Sequence, residues 1–86
     1  MKIDNVYEES LPRLYKSADL GLVTTLSLFY PIDFIDRTNP DKVIFNFKRE
    51  VGLDELVANY WARRLQVEPQ ALLNQQKAIK TRIHET

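Results

Sequence analysis

The basic side chains near the end of the chain are its densest candidates for chemistry. Lys77, Lys80, Thr81 and His84 follow i, i+3, i+4 and i+7 spacing, so a helix places them on one side, with Arg82 at its edge. Arg63 and Arg64 add two further cations upstream. Such a cluster suits phosphate contacts, and Lys77, Lys80, Arg82, Arg63 and Arg64 are the candidate phosphate ligands of a nucleic-acid reading. The plainer account is a solvated face with cations at a helix C-terminus, where the dipole favours them. Nucleic-acid binders usually show a more basic domain and a recognisable motif, so the plainer account is preferred.

Other chemistry has little to work with. Without cysteine the chain forms no disulfide, thiolate zinc site, iron–sulfur cluster or thiol nucleophile. Its single histidine, His84, sits in a final helical turn, and a useful metal site normally needs three or four ligands. The two glycines, Gly21 and Gly52, are too far apart for a phosphate loop. Three acidic pairs remain. Asp33 and Asp36 point to opposite faces of a strand, Asp54 and Glu55 complement a helix N-terminus, and Glu8 and Glu9 read as solvated. No catalytic residue, metal ligand or cofactor is expected, and the chain reads as a non-enzyme.

Protein contacts have better candidates. Tyr7, Leu11 and Tyr15 lie in a segment that Pro12 keeps from forming one continuous helix. This segment, residues 1–16, reads as an arm whose Tyr and Leu side chains dock on the core or on a partner. Gln75 and Gln76 interrupt the apolar stripe of the last helix, where amides are cheaper at a wet interface than in a dry core.

The elements that must position these residues follow from periodicity. Ser17 before Ala18-Asp19-Leu20 predicts an N-cap and a helix from Ala18 to Phe29, with Leu22, Val23, Leu26 and Phe29 as its stripe. Val-Thr-Thr and Phe-Tyr within it favour strand instead. Ile32 to Arg37 and Lys42 to Arg49 read as two strands of an antiparallel hairpin, joined by the turn chemistry of Asn39-Pro40-Asp41. In the second strand Val43, Phe45 and Phe47 alternate with Lys42, Ile44, Asn46 and Lys48, giving one apolar and one mixed face. Gly52 opens a helix to about Arg64 with Leu53, Leu56, Val57, Tyr60 and Trp61 as its stripe. Pro69 starts the last helix, whose thin stripe is Leu72, Ile79 and Ile83.

These elements define an α+β fold of one domain, residues 1–86: an antiparallel β-hairpin packed against three helices in the order α-β-β-α-α. Val43, Phe45, Phe47, Leu56, Val57, Tyr60 and Trp61 are the expected core. The composition, 44% hydrophobic and 28% charged, is that of an ordinary globular chain. Its first half, residues 1–41, carries four basic against seven acidic side chains, a net of −3, and residues 42–86 carry the compensating +3. The polar, acidic start does not read as a signal peptide. The least charged stretch, Leu20 to Ile32, is too short to span a bilayer. A cytoplasmic location is the expectation.

Several blocks resemble a family of small bacterial and phage-associated proteins catalogued only as a domain of unknown function. They are Tyr15-Lys16-Ser17-Ala18-Asp19-Leu20, Val43-Ile44-Phe45-Asn46-Phe47, Leu53 with Leu56 and Tyr60, and Val67-Glu68-Pro69 leading to Leu72, Lys77, Lys80 and Ile83. The resemblance covers residues 15–84 and implies the order helix, strand, strand, helix, helix. The chain departs from the family at Val23-Thr24-Thr25 and Tyr30-Pro31, where an alanine-rich helix and a glycine turn are usual. The family supplies no active-site residue. The function expected is a protein-interaction module, either a homo-oligomer or an accessory protein of a phage or mobile element. Nucleic-acid binding through the last helix is the alternative.

Overall fold

A computed structural model of the chain describes residues 13–84. Six elements follow one another: β1 (Leu14–Ser17), α1 (Leu20–Ser27), β2 (Phe34–Asn39), β3 (Lys42–Lys48), α2 (Leu53–Trp61) and α3 (Pro69–His84). The strands form one antiparallel sheet in the order β1-β3-β2. The expected α+β class and the hairpin on three helices are present, and β1 adds a third strand to them.

That strand corrects the arm reading at Leu14, Tyr15 and Lys16; residues 1–12 of that segment lie outside the described residues. Leu14 pairs with Lys48, Tyr15 with Phe47, Lys16 with Asn46 and Ser17 with Phe45. A four-residue strand has almost no signature of its own; the unpaired edge of β3 supplies its hydrogen-bond partners. Because Ser17 ends β1, the cap of α1 moves on by two residues. The Asp19 carboxylate accepts from the Leu22 N–H at 3.0 Å, and the Ser17 hydroxyl accepts from the Asp19 N–H at 3.1 Å.

Helix α1 forms despite its threonines because their hydroxyls bond within the helix. Thr24 donates to the Leu20 carbonyl at 2.7 Å and Thr25 to that of Gly21 at 2.9 Å, so both are buried without an orphaned hydroxyl. Its apolar residues Leu22, Val23 and Leu26 meet Phe45, Phe47, Leu53 and Ile79 in a single core. Tyr15, Ile35, Val43, Leu56, Val57 and Tyr60 pack around it.

All three helices contribute to the face of the sheet that carries Phe45 and Phe47. Helix α1 lies between the other two. The Tyr60 hydroxyl of α2 sits so close to Gly21 that a Cβ there would stand 2.5 Å from it. On the other side, Gln75 of α3 donates to the Ser27 hydroxyl at 2.9 Å, and Ser27 donates on to the Thr24 carbonyl. Gly52 takes φ +89° just before α2, beside the Tyr30 hydroxyl, so both backbone and space favour glycine there.

Trp61 is not in the core; it is 59% exposed. At roughly 100° per residue, Leu53, Leu56, Val57 and Tyr60 cluster on one side of α2, while Trp61 falls about 80° away from Leu53. It lies on the flank of the stripe and stands edge-on to Tyr60, the ring centroids 5.0 Å apart.

Candidate interaction surface

Strand alternation leaves a second sheet face, opposite the helices. Register places Leu14 and Lys16 of β1, Phe34 and Asp36 of β2, and Lys42, Ile44, Asn46 and Lys48 of β3 on it. No described helix packs there. Phe34 is 47% exposed, and Leu14 and Ile44 are half-buried. Lys16, Asn46 and Phe34 form one cross-strand row, and Asp36 stands opposite Ile44 in the next.

Asn46 is the unusual residue of this face. It is 1% exposed at the centre of the sheet, and its Oδ1 has no hydrogen-bond partner. Its amide nitrogen reaches only the Phe34 and Ile44 carbonyls, at 3.5 and 3.4 Å, which are weak contacts.

The edges of the surface are braced by local chemistry. Between Asp36 and Asn39 the register slips, two residues of β2 opposing one of β3, which makes a bulge. The Asp36 carboxylate spans it, accepting from both the N–H and the hydroxyl of Thr38. These two bonds, the hydroxyl first, hold its pKa below the ordinary carboxylate value, against desolvation, with help from the positive charge of Lys16. Arg37, within the bulge, reaches the helix side and donates to the Ile83 and Arg82 carbonyls at the end of α3. At the other end of the sheet, Arg49 pairs with Asp54 at 3.1 Å and lies 5.5 Å from the centre of the Tyr15 ring.

The sequence-derived contact residues fare unequally. Tyr7 and Leu11 lie outside the described residues. Tyr15 faces the helices and packs on the core, the first of the two places expected for it, rather than on a partner. Burial raises its phenol pKa, Arg49 opposes the rise, and Asp54 and Asp19 add to it. Gln75 finds its partner inside the molecule, on Ser27, and Gln76 is half-buried beside it in sequence. Gln75 therefore marks the α1–α3 contact and is explained without any second protein.

The cations are all at the surface. Lys77, Lys80, Arg82 and His84 are exposed along α3, and Arg63 and Arg64 are exposed beyond α2. Arg63 takes φ 61°, the left-handed conformation that glycine usually supplies at a helix end. Among the described residues, no three His, Cys, Asp or Glu side chains gather as a metal would need. No described helix is long and apolar enough to cross a membrane.

The sheet face was partly visible in the sequence. Ile44 between Lys42 and Lys48 already made one face of β3 mixed rather than polar. Its extension through Phe34 and Leu14 required the three-strand register, and β1 could not be read. Comparison with family models, with curated proteins and with solved structures finds no match to this chain in any of the three.

Proposed function

We propose that the chain is a non-enzymatic protein-interaction module that meets its partner through the face of its sheet on which no described helix packs. The supporting observation is Phe34: a large aromatic side chain, half exposed, on the face opposite the core, with half-buried Ile44 diagonal to it on β3. Antiparallel sheets commonly leave one face to solvent, and that face is then polar. Here it is mixed: Phe34 and Ile44 lie among Lys16, Lys42, Lys48 and Asp36, with Asn46 at the centre. Aromatic side chains are enriched at the centres of protein interfaces, where a few of them carry most of the binding energy.

The test is site-specific photo-crosslinking in the producing cell. A benzoylphenylalanine is placed at position 34 and, in separate proteins, at positions 61 and 73, where Trp61 and Leu73 are also exposed. A discrete crosslinked species is expected from position 34 alone, whether it contains a second copy of the chain or another protein. Crosslinks from position 61 or 73 with none from position 34 would move the interface to the helices and overturn the reading.

A further inference from the structure

We infer that this sheet face, opposite the described helices, takes an acidic peptide segment bearing apolar side chains; the inference rests on the interaction reading above and specifies the partner's chemistry. Lys42 and Lys48 stand at the two ends of β3 and Lys16 on β1; Asp36 is the one carboxylate among the paired residues of this face, and Asp33 and Glu50 lie beside Lys48 at its margin. The paired residues of the face are thus net positive on a chain whose formal charge is zero. None of the three lysines is held in an ion pair among the described residues. Asp36 attracts Lys16, yet its carboxylate is already occupied by Thr38. Lysines set beside Phe34 and Ile44 attract carboxylates on approach, and the two apolar groups give the apolar side chains of the partner a place to settle.

The size of the face favours a segment over a globular partner or a second copy of the fold. Three strands about 4.8 Å apart and a few residues long present a patch roughly 10 Å by 20 Å. That is well short of the roughly 800 Å² per partner buried in a standard interface between folded proteins. One extended or helical segment fits it. The aromatic content decides against single-stranded nucleic acid. Sheet-based readers stack successive bases on two or three aromatic side chains, and Phe34 is the one aromatic among the described residues of this face.

The experiment pans a phage-displayed library of random twelve-residue peptides on the full chain at low salt. Enriched peptides are then synthesised with a fluorescein label and titrated by anisotropy. The titrations use the parent, a Lys16→Glu/Lys48→Glu double variant and Phe34→Ser, with labelled oligothymidine in parallel. All three substituted positions are exposed, and matching thermal melts confirm intact folds. Enrichment in Asp and Glu together with Leu, Ile or Phe is expected. The double variant should weaken binding by about tenfold or more, and added salt should weaken it in the parent. Enriched peptides without acidic excess, lost in Phe34→Ser but unchanged in the double variant, would overturn the acidic chemistry and leave the interaction face standing. Peptides indifferent to both variants, or no enrichment at all, would overturn both. Oligothymidine binding tighter than any peptide, and lost in the double variant, would replace the peptide with nucleic acid.

Discussion

At the scale of single residues, Arg63 shows most directly how much this fold tolerates. Its N–H bonds the Tyr60 carbonyl at 3.1 Å, and the Arg64 N–H reaches back to Asn59 at 3.0 Å. The two bonds close α2 as a Schellman turn, with Arg63 in the left-handed position. An L side chain there costs about 1–2 kcal/mol, and glycine recovers most of it after its own entropy loss. Arg63→Gly should therefore stabilise the domain by about 0.5–1 kcal/mol, raising the melting temperature by several degrees. A lower melting temperature would show that the guanidinium makes a contact stronger than the backbone strain. Trp61, two residues earlier, carries a related lesson. Its position in the stripe made it a core residue by periodicity, but a nine-residue helix buries only the centre of its stripe. Leu53 is fully buried there, Tyr60 partly, and Trp61 on the flank stays exposed.

At the scale of elements, α3 depends on few anchors. It has sixteen residues, and Ile79 is its one fully buried side chain. A helix of that length is marginal alone in water, so tertiary contacts must hold it. Gln75 ties its first half to Ser27, and Arg37 caps its last turn through two carbonyls. Arg37→Met keeps the aliphatic stem and removes the donors. It should cost about 1 kcal/mol, a value kept low because the site is exposed. Hydrogen exchange should report faster loss of protection in the last turn of α3 than in α1; unchanged protection there would mean the cap holds nothing. The start of α3 was legible, since Pro69 occupies its first position and Glu68 accepts from the Gln70 and Ala71 N–H groups. Its end was not, because Arg37 lies more than forty residues away in sequence. Strand β3 and the stripe of α2 were legible for the same reason as Pro69: their patterns are local. Strand β1 was not, since Leu-Tyr-Lys-Ser becomes a strand only beside β3. The open sheet face inherits that limit, for its membership depends on β1.

At the scale of the whole molecule, one core ties the helices to a single side of the sheet, and the groups at its margins set how stability responds to pH. Burial raises the phenol pKa values of Tyr15 and Tyr60 above the ordinary 10.0, with nearby carboxylates adding to the rise at both. The folded chain then keeps those protons to higher pH than the unfolded chain does. Their stabilisation is complete below pH 10.0 and is lost as pH rises through the folded values. Asp36 works in the opposite sense. The Thr38 bonds lower its pKa from 3.8, so its contribution is present above that pH and disappears as pH falls through the folded value. Stability should therefore show a plateau across neutral pH, bounded by an acid limb and an alkaline limb. Urea midpoints measured across this range test both ends. Asp36→Asn should make the acid limb shallower without moving the alkaline one, because the two groups belong to different margins of the fold. Tyr60→Phe should flatten the alkaline limb, and Tyr15→Phe should flatten it further, since each phenol is raised by its own burial, Tyr15 beside the Arg49–Asp54 pair and Tyr60 beside Gly21, with Asp19 acting on both. An alkaline limb that survives both tyrosine substitutions unchanged would assign it to lysine deprotonation across the whole surface. The margins of the core would then have no part in it.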